Sequence, residues 1–123
     1  MRVYKVKGFA RFQRRERIAD TALARAVRAA EDGLIDADLG GGVVKQRIAR
    51  TGQGKRGGFR TVIAYRCGDR AIFLLGFAKI ERDNVDDDEL DELKALARCY
   101  LALSGDQIAA LVAADELMEV EYE

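Results

Sequence analysis

A chain of 123 residues, 49% of them apolar, can bury the core of one domain, while its two cysteines are too few for a disulfide framework. Histidine is absent, so acid–base chemistry falls to carboxylates, tyrosine, lysine or arginine, and no stretch approaches the ~20 uninterrupted apolar residues of a membrane span. The net charge of zero conceals a division after Arg82: 19 Lys and Arg stand against 8 Asp and Glu before it, and 2 against 13 after it, so a +11 part that suits a polyanionic partner precedes a −11 part.

Arg2-Val3-Tyr4-Lys5-Val6 alternates polar and β-forming residues, which predicts a short strand that pairs with something later in the chain. The charges at Arg2, Lys5 and Lys7 stand where a signal peptide needs an apolar run, so the expected location is the cytoplasm. Phe9, Phe12 and Ile18 open a helical stretch. Asp20 is the expected N-cap of a helix over 21–32 that stops at Gly33, with alanines 22, 26, 29 and 30 on a face able to lie close to a sheet.

After Gly40-Gly41-Gly42 the pattern predicts three strands, 43–49, 59–67 and 70–78, as an antiparallel meander with a tight turn at Gly68-Asp69. The third is apolar without a break, as expected of a central strand covered on both faces. On the first, Lys45 and Arg47 share one face; on the second, Arg60, Val62, Ala64 and Arg66 share a face while Phe59, Ile63 and Tyr65 point into a core. These small and cationic positions predict an open basic face, suited to the phosphates and bases of an extended RNA strand. From Asp86 the leucines at 90, 93, 96 and 101 take helical spacing, Ser104 caps a second helix, and 117–122 ends as a short strand. The acidic helical part, 83–123, is an extension of a single domain spanning 1–123; its leucines are expected to pack on the domain and its carboxylates to face away from RNA.

Gly52-Gln53-Gly54-Lys55-Arg56-Gly57 satisfies the GxGxxG pattern, yet it joins two strands where a dinucleotide site joins a strand to a helix, and Arg56 stands where a P-loop needs Ser or Thr. It reads as a hairpin whose Lys55 and Arg56 can touch phosphate. Asp86-Asp87-Asp88-Glu89 lacks the alternation and glycine of a calcium loop and suits the start of a helix, so no metal and no cofactor is expected. Cys67 and Cys99 read as reduced, buried small hydrophobes.

The strings Gly40-Gly41-Gly42-Val43-Val44-Lys45-Gln46-Arg47-Ile48-Ala49-Arg50 and Gly54-Lys55-Arg56-Gly57-Gly58-Phe59-Arg60-Thr61-Val62-Ile63 resemble the RelE-type toxins, specifically the phage-related, HigB-like branch of the RelE/ParE superfamily. The likeness continues through Phe73-Leu74-Leu75-Gly76-Phe77-Ala78-Lys79 and Glu81-Arg82-Asp83-Asn84. The resemblance implies an α+β, RelE-like fold: an antiparallel sheet of about four strands, two N-terminal helices on one face, and here added C-terminal helices. It also implies cleavage of messenger RNA on the ribosome and neutralisation by a cognate helix-turn-helix antitoxin.

Carried over by position, the family's strand cations fall on Lys45 and Arg47, its sheet arginine on Arg60, its late cation on Lys79, and an aromatic beside the substrate on Phe77. Arg66 and Arg82, with Lys55 and Arg56, complete the expected RNA contacts. The family's C-terminal tyrosine is not assigned to Tyr122, and the active-site histidines of its HigB-like members are missing. Arg60 and Arg47 are therefore expected to stabilise the phosphorane, with Lys45 or Lys79 in proton transfer. A ParE-like inhibitor of DNA gyrase and an inactive RNA-binding module are the alternative readings.

Overall fold

Val3 and Tyr4 are neighbours on the opening strand, point to opposite faces and are both buried, so that strand lies inside a sheet covered on both sides. The computed structural model describes residues 1–50 and 54–122, with the backbone alone for Arg50 and residues 54–57. Strand β1 (Arg2–Val6) leads into helices α1 (Lys7–Arg15) and α2 (Asp20–Glu31). Strands β2 (Ala37–Gly40), β3 (Val43–Arg50), β4 (Gly54–Arg66) and β5 (Arg70–Ala78) follow, then helices α3 (Asp87–Ala102) and α4 (Gly105–Ala113) and strand β6 (Leu117–Val120).

The described strands form one sheet in the order β2-β3-β4-β5-β1-β6. The meander β3-β4-β5 is antiparallel as expected, and β1 finds its later partners in β5, to which it is parallel, and β6, to which it is antiparallel. The resemblance implies about four strands; the described sheet has six, of which β6 is expected from the pattern over 117–122 and β2 is not. Strand β2 escapes sequence patterning because Ala37-Asp38-Leu39-Gly40 has only two apolar side chains, and pairing with β3 defines it.

Helices α1 and α2 cover one face through Phe9, Phe12, Leu23, Ala26 and Val27, which meet Val44, Ile48, Phe59, Ile63 and Phe73 of the sheet. Asp20 is the first residue of α2 and does not cap it; its carboxylate accepts bonds from Lys5 and Gln13 instead. At the other end of α2, Tyr65 of β4 donates its hydroxyl hydrogen bond to Glu31, which also accepts from the Gly68 amide. Burial first, and then the bond to Glu31, raise the Tyr65 phenol above its ordinary value. The neutral phenol is thus the form the fold favours, and its contribution is complete below pH ~10 and is lost as pH climbs toward the raised value. Tyr65→Phe is expected to cost about 1.5 kcal/mol at neutral pH and to flatten the decline of stability above pH ~10, both read from denaturant titrations at a series of pH values. An unchanged alkaline decline in the variant would show that Tyr65 does not supply it.

The second face is not open. Helix α3 begins on an Asp86 cap and lays Leu93, Ala97 and Leu101 over Val43, Val62, Ala64 and Ile72, all buried, while α4, with a full Ser104–Gln107 capping box, adds Ile108. The β2–β3 turn makes room for α3: Gly40, Gly41 and Gly42 all have positive φ, and a Cβ on Gly42 would stand 2.7 Å from Leu101 Cδ1. Expecting Val62 and Ala64 on an exposed basic surface was therefore incorrect. Their alternation with arginines resembles a wet face, but an apolar stretch on that side is large enough to recruit a helix.

Candidate nucleic-acid interface

Antiparallel register decides which cations meet. Arg47 of β3 faces Arg60 of β4, and Arg60 faces Phe77 of β5, so the three side chains form one cross-strand row on the α3 side of the sheet. Lys45, Val62 and Leu75 form the next row. Two residues along a strand rise about 6.6 Å, which places the Lys45 and Arg60 backbones within a long side chain's reach of a common ligand.

The members of this group sit in different surroundings. Arg60 is 4% exposed; its backbone pairs within the sheet, its side chain has no hydrogen-bond or ion-pair partner among the described residues, and none of its nitrogens is both sealed from solvent and unpaired. Arg47 is largely exposed and pairs with Asp36 at 3.2 Å. Phe77 is buried, and the Arg82 guanidinium lies over its ring, 4.5 Å from the centroid. Arg82 in turn donates to both carboxylate oxygens of Glu89, at 2.6 and 3.1 Å. Lys45 is half-buried, whereas Lys79 is exposed at the exit of β5, where its backbone N–H donates to the Gly58 carbonyl at 3.1 Å.

The structure thus brings together Lys45, Arg47, Arg60, Phe77 and Arg82, with Lys79 at the rim. Arg66 does not join them: it lies six residues along β4 from Arg60, about 20 Å away, and pairs with Asp69 in the β4–β5 turn. The backbones of residues 55 and 56 belong to β4, and the side chains of Lys55 and Arg56 lie outside the described residues, as does Gly52-Gln53 of the glycine stretch. Tyr122 packs on the opposite, α2 side, with Arg28 5.5 Å from its ring centroid, so it is no member of the row. Both cysteines are exposed, contrary to expectation: Cys67 falls in the β4–β5 turn and Cys99 on the outer side of α3.

Sequence reading missed two carboxylates. Asp36 precedes the unrecognised β2 strand, and its value as a partner for Arg47 depends on that strand. Glu89 belongs to the acidic run read as a helix start, which it is, since its N–H is capped by Asp86 at 2.8 Å. Its side chain nevertheless turns toward the arginine row, so the expectation that this segment keeps its carboxylates away from the basic face fails at Glu89. Asp87, Asp88, Asp91 and Glu92 are exposed, in keeping with it. The signal available in sequence was the seven-residue spacing of Arg82 and Glu89 across a helix start, which no periodicity makes conspicuous.

Chemically, the row offers fixed guanidinium donors for an anion, an aromatic ring, and a lysine one row away. No group of three or more Cys, Asp or Glu residues among the described residues is placed to hold a metal ion, and no described helix is long and apolar enough to cross a membrane. A family model described as the RelE toxin of a RelE/RelB toxin–antitoxin system matches residues 1–120. No curated protein matches the chain.

Proposed function

The chain belongs to the RelE toxin family, and from that premise we propose that this toxin is an endoribonuclease that cleaves messenger RNA, with Arg60, Arg47, Lys45 and Lys79 as its working residues. The observation that carries the reading is Arg60. The residue is 4% exposed and its side chain has no partner among the described residues, and because no described side-chain nitrogen is both sealed from solvent and unpaired, the exposure that remains lies at the guanidinium, where an incoming phosphate can bind it. Its neighbours Arg47 and Phe77 are in register to take the same nucleotide's phosphate and base.

RNA supplies its own nucleophile. The 2′-oxygen attacks the adjacent phosphorus, the P–O5′ bond breaks, and a 2′,3′-cyclic phosphate and a 5′-hydroxyl result. The proton leaves the 2′-hydroxyl and another reaches the 5′-oxygen, so the enzyme's work is to orient, to stabilise the phosphorane and to move protons. Arg60 and Arg47 stabilise the charge; Lys45, half-buried on the same face, and Lys79, at the rim, serve in proton transfer. Arginine is poorly suited to that last task because it stays protonated.

The family places this protein in a toxin–antitoxin pair, so its protein partner is an antitoxin. A helix-turn-helix antitoxin and messenger RNA held on the ribosome complete the proposal, as does a place in the cytoplasm. Induced expression is expected to arrest growth and to generate new 5′-hydroxyl RNA ends, both suppressed by co-expression of the neighbouring gene's product. Intact messages accompanied by DNA damage would instead identify a gyrase inhibitor, and harmless expression an inactive binding module.

A further inference from the structure

The row that suits RNA is closed. Arg60 is almost wholly buried, and the Phe77 ring beside it, otherwise packed in the apolar cluster under α3, is overlain by Arg82, which Glu89 holds through two hydrogen bonds. We propose that the Arg82–Glu89 pair is an intramolecular gate over the phosphate- and base-binding surface of Arg60 and Phe77, with Glu89 occupying the arginine that an RNA phosphate claims on binding. The gate rests on the ribonuclease reading above and adds regulation of the same site.

Three observations support it. A carboxylate offers two oxygens to a guanidinium fork as a phosphate does, so Glu89 is a chemical competitor of RNA and not merely a cover. A guanidinium stacked on an aromatic ring occupies the position of a stacked base, so displacing Arg82 uncovers Phe77 for a nucleobase in the same movement. Finally, Glu89 hangs in the first turn of α3 after a connection whose residues 79–84 are all exposed, whereas the buried anchors of α3, Leu93, Ala97 and Leu101, come later. Opening the first turn breaks the Asp86 cap and the Glu89 pair and leaves those anchors in place.

Charge gives the movement a direction. Arg47 already has Asp36, so an open gate leaves Arg60 and Arg82 as two cations on one surface, the requirement of two successive phosphates.

The test uses the full chain and an oligoribonucleotide bearing 2′-O-methyl groups, which binds without being cut, followed by fluorescence anisotropy. Glu89→Gln is expected to bind about fivefold more tightly than wild type, because removing a partly exposed ion pair raises the fraction of open molecules by roughly that factor. Equal or weaker binding by Glu89→Gln, where wild type binds and Arg60→Met does not, overturns the gate and leaves the ribonuclease reading standing. Failure of both wild type and Glu89→Gln to bind overturns both. A second measurement needs no variant: hydrogen exchange in residues 87–92 of wild type is expected to quicken when the oligonucleotide binds. Slower or unchanged exchange there overturns the gate.

Discussion

Arg60→Met is expected to cleave RNA about a hundredfold more slowly than wild type and to be more stable than it. The first effect follows from the role of Arg60 in holding phosphorane charge: losing one such donor raises the barrier by ~3 kcal/mol, about two powers of ten in rate. The second follows from where the side chain sits. Arg60 is 4% exposed, stands opposite Arg47 across the β3–β4 ladder, and its side chain has no partner among the described residues. A charged group there loses most of its water and faces the like charge of Arg47, which methionine avoids, while methionine retains a similar unbranched stem opposite Phe77 on the neighbouring strand. A gain of about 1 kcal/mol, or roughly 4 °C in melting temperature, is the expected size.

The two effects having opposite signs is the informative part. A residue kept for packing loses stability when replaced, and a residue kept for function against the demands of folding gains it. Arg60→Lys separates charge from geometry: it keeps the cation and loses the fork, so it is expected to recover only a small part of the rate. Single-turnover cleavage of a defined message, with thermal melts of the same preparations, checks all three. A correctly folded Arg60→Met with wild-type rate would remove Arg60 from the catalytic group.

Much of this arrangement was legible before folding because it depends on local rules. Period-two alternation placed Lys45 and Arg47 on one face and Phe59 and Ile63 on the other, and the uninterrupted run at 71–77 marked a strand covered on both sides, which β5 is. Ser104 announced α4, and Asp86 did the same for α3. The misses share one cause, the dependence of a side chain's surroundings on distant sequence. Nothing near Val62 and Ala64 says that a helix thirty residues later will cover them, and nothing near Arg82 says that Glu89 will cross a helix start to reach it. The open basic face failed for that reason: strand periodicity assigns residues to a face and is silent on what lies over it. Arg66 shows the complementary limit, since sharing a face with Arg60 does not bring it near.

Gly76→Ala is expected to destabilise the protein by about 3 kcal/mol, although a single methyl group is all it adds. Gly76 sits in central strand β5, paired with Thr61 of β4, and its φ is not in the left-handed region, so backbone strain is not the issue. The obstacle is Phe12 of α1: a Cβ at position 76 would stand 2.3 Å from Phe12 Cε2 and 2.4 Å from Cδ2. The ring has nowhere to retreat, because Phe12 is 5% exposed, meets Phe59 edge-on at 5.7 Å between centroids, and lies 5.6 Å from Phe9, which itself rests on Phe73 at 5.0 Å. Relief therefore requires α1 to lift from the sheet or several aromatic rings to leave their rotamers together, the costly form of overpacking. Against a total stability of roughly 5–15 kcal/mol, such a loss is large. Phe12→Leu supplies the control: alone it leaves a cavity and destabilises, and combined with Gly76→Ala it makes room for the new methyl. The double variant is expected to be at least 1 kcal/mol more stable than the sum of the single effects predicts, as read from denaturant midpoints. Strict additivity, or a Gly76→Ala protein within 0.5 kcal/mol of wild type, would show that the clash at Phe12 is not what reserves this position for glycine. Because Phe77 follows Gly76 directly and faces Arg60, the same displacement of β5 is also expected to slow cleavage by whatever fraction of molecules fails to seat α1.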